Sequence, residues 1–168
     1  MGRDERGIPP FQVFLDEHRL VVYRFLLRAV GPDDADDCFQ ETFLSALRAY
    51  PKLRDGSNLR GWVLAIASRK AIDAGRARAR RPIPVAEIDH RARSTDGSEV
   101  ARMAFGSVDP LWETVAGLPP RQRVALVHRV VLDRSYAETA QAMGSSEETA
   151  RANVYQALKK LRIEVTDE

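Results

Sequence analysis

Helix breakers constrain this chain more than any other feature, because they cut a three-to-four apolar rhythm into blocks. Pro9-Pro10, Gly31-Pro32, Pro51, Pro82, Pro84 and Pro119-Pro120 mark the cuts. Proline is tolerated in the first turn of a helix but not in its interior. The first block places Phe11, Phe14, Leu15, His18, Val22, Phe25, Leu26 and Ala29 on one helical face. Gly31-Pro32 is read as its stop, and Asp33 or Asp34 as the cap of a second helix. That helix shows a stripe of Ala35, Cys38, Phe39, Thr42, Phe43, Ala46, Leu47 and Tyr50. A polar loop follows to Asn58, which can cap a third helix carrying Leu59, Trp62, Val63, Ile66 and Ile72 inward. These blocks predict a three-helix bundle.

From Pro82 the rhythm fails. Ser94-Thr95-Asp96-Gly97-Ser98 is turn-rich, and a stretch this long reads as a linker, with a short helix near 100–105. Trp112 and Val115 open a second helical unit, and Leu118-Pro119-Pro120 starts a helix with Val124, Leu126, Val127, Val130 and Val131. Ser135-Tyr136-Ala137-Glu138 has the spacing of a capping box. Gly144 supplies a tight turn, Ser145-Ser146-Glu147-Glu148 offers a second capping box, and Ala150, Val154, Ala157, Leu158 and Leu161 face inward from a last helix. A short helix, a glycine turn and a longer helix make a helix-turn-helix. The expected fold is all-α, with two small helical domains at 1–81 and 111–168 joined by a flexible linker at 82–110.

Composition narrows the function. Apolar residues make up 44% and charged residues 30% of 168 residues, which is ordinary for a folded chain. No apolar run reaches the roughly 20 residues of a membrane helix, and no secretory h-region is present. Cys38 is the single cysteine, so a reducing, cytoplasmic setting is expected. His18, His90 and His128 lack metal-ligand spacing, and there is no phosphate loop or nucleophile elbow. No catalytic residue, metal or cofactor is therefore assigned.

Charge is more informative by position than in total. Residues 1–81 hold 15 basic and 11 acidic side chains, whereas residues 111–168 hold 8 of each. Arg69, Lys70, Arg76, Arg78, Arg80 and Arg81 crowd the end of the third helix against Asp73, a candidate phosphate footprint. Arg69, Arg76 and Arg80 share one stripe there. A polar loop beside such a helix can hold a splayed-out base while cations grip the backbone. On the second helix, Asp37, Gln40, Glu41 and Leu44 form an acidic face with an outward leucine, which suits protein docking. The last helix could enter a major groove.

Three runs, residues 34–53 (DADDCFQETFLSALRAYPKL), 59–73 (LRGWVLAIASRKAID) and 118–162, stand in an order and spacing that resembles extracytoplasmic-function sigma factors. The resemblance covers about residues 11–81, the family's region two, and 111–162, its region four. It implies that Asp37, Gln40, Glu41 and Leu44 dock on the clamp helices of the largest subunit of the RNA polymerase core. It also implies minus-ten promoter reading by Asp55, Ser57, Asn58, Arg60, Arg69, Lys70, Arg76 and Arg80. Minus-thirty-five reading would fall to Thr149, Arg151, Asn153 and Tyr155. An anti-sigma factor is a candidate further partner, and no membrane contact is expected.

The last helix departs from the family. Members commonly have Glu-Gly-Thr-Val followed by Lys-Ser-Arg, where this chain has Glu147-Glu148-Thr149-Ala150 and Arg151-Ala152-Asn153. The alternatives are a helix-turn-helix regulator that binds DNA without polymerase, and a sigma-like interaction protein with weakened promoter reading.

Overall fold

The structure, a computed structural model, describes residues 2, 4–81 and 110–166. Residues 82–109 of the expected linker, with the short helix near 100–105, lie outside the described residues, and residue 110 already belongs to a helix. Among those described, the regular elements are all helical. Helices α1 (Phe11–Val30), α2 (Pro32–Ala49) and α3 (Leu59–Arg80) form the first unit; α4 (Pro110–Ala116), α5 (Pro120–Leu126), α6 (Tyr136–Met143) and α7 (Glu147–Thr166) form the second.

The junction of α1 and α2 is tighter than the sequence suggested. Gly31 has φ 82° and serves both helices: its N–H donates to Leu27 O, and its carbonyl accepts from Ala35 N–H. Only glycine enters that backbone region without strain. Pro32 then occupies the first turn of α2, where its missing donor costs nothing. Asp33 and Asp34 therefore do not cap α2 but lie in its first turn, where both pair with Arg78 of α3, at 3.6 and 3.1 Å. Acidic groups there also suit the positive end of the helix dipole.

Between α2 and α3 a single 3-10 turn, Tyr50–Lys52, reverses the chain. Asn58 caps α3 as expected, its Oδ1 accepting from Gly61 N–H at 3.0 Å. The core of the first unit is aromatic: Phe14 is fully buried and meets His18, Phe43, Tyr50 and Trp62 at ring separations of 5.0 to 6.2 Å. Trp62 is thus a packing residue, and Trp62→Ala is expected to lower stability by about 3 kcal/mol through the cavity left beside Phe14 and Tyr50. Thermal or urea unfolding measures this directly, and a variant that unfolds like the wild type would place the indole outside the core.

The second unit keeps its capping box, Ser135 Oγ accepting from Glu138 N–H and Glu138 accepting from Ser135 N–H, at 3.1 and 2.8 Å. Gly144 closes α6 in the left-handed region. The next helix is capped differently from the expectation: Ser146, not Ser145, accepts from Thr149 N–H, and its hydroxyl bonds Thr149 Oγ1 rather than Glu148. Ser and Thr three positions apart satisfy the same orphan amide without a carboxylate. Two apolar residues expected inside, Leu47 (48%) and Leu158 (46%), are exposed, as is Val130 (62%) of the expected apolar helix. Leu47 and Leu158 sit at the edges of their stripes, and Val130 lies within the π-helical turn at Val127–Val131 that follows α5.

The two units pack on each other. Val124, Ala125, Val127, Met143 and Val154 belong to the same apolar cluster as the α1–α3 core, and α5 and α6 lie against α3. Gly75 allows the approach, because an added Cβ would stand 2.6 Å from Pro120 Cγ. At the centre of the contact Ser68 Oγ lies 2.7 Å from His128 Nε2 and 2.6 Å from Leu64 O. The serine's one proton goes to Leu64 O, so it accepts from His128, which is neutral and protonated on Nε2. Burial, and secondly the positive charge of Arg134, push the His128 imidazole down to about 3.

Candidate docking and nucleic-acid surfaces

Helix α2 divides its residues cleanly between core and solvent. Ala35, Cys38, Thr42, Phe43 and Ala46 are buried, and Thr42 returns its hydroxyl to Cys38 O at 2.6 Å. Asp37, Gln40, Glu41 and Leu44 are all exposed, on the opposite side. Leu44 is 51% exposed, and Leu47 one turn on extends the apolar edge of this face. The sequence missed Leu47 because its spacing fits the buried stripe as well as the exposed one. The neighbouring acids are engaged within the fold: Asp33 and Asp34 with Arg78, and Asp36 with the Tyr23 hydroxyl at 2.9 Å. Cys38 lies beneath this surface, and burial pushes its thiol up to about 11, which leaves it protonated and unreactive.

The loop before α3 is held by its own side chains. Asp55 accepts from Ser57 N–H at 2.8 Å and from the Ser57 hydroxyl at 2.7 Å. These bonds, the side-chain one first, hold the Asp55 carboxyl below its ordinary value. Asp55, Ser57, Asn58 and Arg60 are exposed together at the mouth of α3. Arg54, also exposed and next to them, went unmarked in the sequence because it fits no motif.

Farther along α3, Arg69, Arg76 and Arg80 are exposed as expected, whereas Lys70 is half-buried and reaches Glu41 at 3.6 Å. Lys70 and Glu41, assigned to separate surfaces, thus meet across the α2–α3 seam. In the helix-turn-helix, Thr149, Arg151, Asn153 and Tyr155 do not share one face. Thr149 and Asn153 line a shallow concavity with Glu148, Ala152 and Gln156, and Asn153 Nδ2 donates to Thr149 O at 2.9 Å. Arg151 turns the other way, pairing with Glu147 at 2.9 Å and lying 4.5 Å over the Tyr136 ring. Gln156 is the residue on this face that the sequence did not mark.

No group of three or more His, Cys, Asp or Glu side chains that could hold a metal occurs among the described residues, and none of their helices is long and apolar enough to cross a membrane.

Two family models match the chain: Sigma-70 region 2 over residues 14–81, and Sigma-70, region 4 over residues 109–161. The chain is 34% identical over 158 residues to the ECF RNA polymerase sigma factor SigD of Mycobacterium tuberculosis, covering 90% of this chain and 74% of the relative. It is 34% identical over 142 residues to the ECF RNA polymerase sigma factor ShbA of Streptomyces griseus, covering 78% and 73%. Among solved structures the fold is similar to the sigma factor RpoE in complex with the anti-sigma factor NepR from Bartonella quintana, with TM-score 0.66, 20% identity, and coverage of 93% and 96%. It is also similar to CnrH in complex with the cytosolic domain of CnrY, with TM-score 0.63, 21% identity, and coverage of 94% and 88%. Region two and region four in their family order, together with relatives above 30% identity across most of their length, make this chain a member of the ECF RNA polymerase sigma factors, the alternative sigma factors of transcription initiation.

Proposed function

We propose that the chain binds RNA polymerase core through α2 and carries promoter recognition in two parts. Residues 1–81 act as the core-docking and minus-ten unit, 82–110 as the connection, and 111–168 as the minus-thirty-five unit. Asp37, Gln40, Glu41 and Leu44, extended by Leu47, form the surface for the clamp helices of the largest subunit. The observation that carries this reading is the acidic, leucine-edged face of α2, exposed while the opposite face is fully used in the core. A face of this kind supplies charge steering at its rim and apolar area at its centre.

Asp55, Ser57, Asn58 and Arg60 then meet the minus-ten strand, and Arg69, Lys70, Arg76 and Arg80 grip its phosphates. Promoter opening needs no chemistry on the protein: stacking lost in the duplex is replaced by base capture and phosphate contacts. The protein is accordingly a non-enzymatic factor that acts in the cytoplasm, and an anti-sigma factor is a fitting further partner.

A second reading, a sigma-like protein with weakened minus-thirty-five recognition, draws on Arg151, whose guanidinium is occupied by Glu147 and Tyr136. Affinity purification of the full chain with core polymerase tests the main proposal. Stoichiometric recovery of core is expected, whereas DNA binding without core would favour a helix-turn-helix regulator.

A further inference from the structure

The residues ahead of α1 are folded back onto the loop that precedes α3, and their bonds to it are directed. Arg6 Nη1 donates to Leu53 O at 2.9 Å and to Pro51 O at 3.4 Å. The Arg6 carbonyl accepts from Gly56 N–H at 3.0 Å. One residue thus holds both sides of the loop, its guanidinium donating to loop carbonyls at one end and its own carbonyl accepting from Gly56 N–H at the other. Gly56 is buried under this segment, and an added Cβ would run into the Gly7 carbonyl, 2.7 Å from Gly7 C and 3.0 Å from Ile8 N.

The holding segment is itself built to be rigid. Asp4 accepts from Arg6 N–H and Ile8 N–H at 3.0 and 2.9 Å, and its other oxygen takes Arg6 Nε and Nη2 at 2.9 and 2.7 Å. Ile8 is inserted into the α1–α3 core, and Pro9 O accepts from the Tyr50 hydroxyl at 2.7 Å. The guanidinium is therefore aimed before it meets the loop. Surface ion pairs of this kind contribute little to global stability, so six bonds around one exposed arginine point to local geometry instead.

We propose that Arg6 is a positioning residue for promoter reading, and that residues 4–9 are a brace presetting the 53–58 loop for an unpaired minus-ten base. This rests on the reading of that loop as the minus-ten surface. The bonds described leave Asp55, Ser57 and Asn58 facing outward on a backbone fixed at Leu53, Gly56 and the α3 cap. A preset loop loses less conformational freedom on capturing a base than a free one would, which favours capture and sharpens discrimination.

The test uses holoenzyme reconstituted from the full chain and core polymerase, with single-stranded DNA carrying a randomised minus-ten stretch as the probe. Bound strands are sequenced. Wild-type holoenzyme is expected to enrich particular bases. Arg6→Ala should lower that enrichment by about tenfold, with core affinity and melting temperature unchanged. Arg6→Lys, which can still reach one carbonyl, should restore part of it. Equal enrichment by wild type and Arg6→Ala would overturn the brace alone. Lost enrichment accompanied by a lower melting temperature or weaker core binding would make the effect one of folding and would likewise overturn it. If the wild type enriches no base, or Asp55→Ala leaves its preference intact, the minus-ten reading of the loop fails and the brace falls with it.

Discussion

Changing Asp37 and Glu41 together to alanine is expected to weaken holoenzyme assembly on the order of a hundredfold while leaving the chain folded. Both side chains stand on the solvent side of α2, and the buried side is complete without them. The loss on binding arises from basic partners left desolvated and unpaired in the interface, rather than from the two carboxylates alone. Glu41 also meets Lys70 within the fold at 3.6 Å, a partly exposed pair whose loss costs the free protein little. Leu44→Ala should weaken assembly further, through apolar area at the centre of the same face. Titration of labelled core with each variant, alongside a thermal melt of the free protein, separates docking from folding. Assembly of the double variant at wild-type affinity would move the docking surface off α2.

Acid is expected to loosen the contact between the two units through His128. Its imidazole is fully buried, neutral, and bonded to Ser68 Oγ, with its pKa pushed down to about 3 by burial first and by Arg134 second. In a form with the units apart the ring would titrate near its ordinary 6.5. The packed form therefore binds fewer protons than the open one. Its advantage is complete above pH 6.5 and is lost progressively as pH falls from 6.5 toward 3. Between pH 7 and pH 5 the loss amounts to about 2 kcal/mol. Small-angle scattering or energy transfer between labels on α1 and α7 should show the units separating over that range. His128→Leu, which fills the site without a titrating group, should remove this part of the dependence. A wild type and His128→Leu that respond identically to pH would show that the ring does not control the contact.

The sequence carried the helices well because each breaker has a local cause. Asn58 and Ser135 cap where their spacing says they should, and Gly144 ends α6 in a conformation that suits glycine. Errors came where two local rules competed. Gly31-Pro32 satisfies both a stop and a start, and the structure uses it as both, which moved Asp33 and Asp34 from capping to pairing with Arg78. Leu47 and Leu158 sit at stripe edges, where a 3.6-residue period leaves the inside and outside equally spaced. The exposed α2 face proposed for docking was legible as a solvent-facing one because its acids and its leucine break the core pattern on one side only.

Much of the remaining site geometry was not legible, because it depends on contacts between segments distant in sequence. Nothing in the local pattern shows that Arg6 reaches Leu53, that Ser68 meets His128, or that Gly75 makes room for Pro120. Arg151, assigned in the sequence to minus-thirty-five reading, meets Glu147 one turn back and Tyr136 on the preceding helix.

That this chain directs polymerase to promoters is tested by run-off transcription on genomic DNA by core polymerase from the encoding organism, with and without the purified protein, mapping every new 5′ end. Discrete start sites that require the protein and share a common upstream element are predicted. Core that binds the protein yet starts no transcript beyond those made by core alone would contradict it.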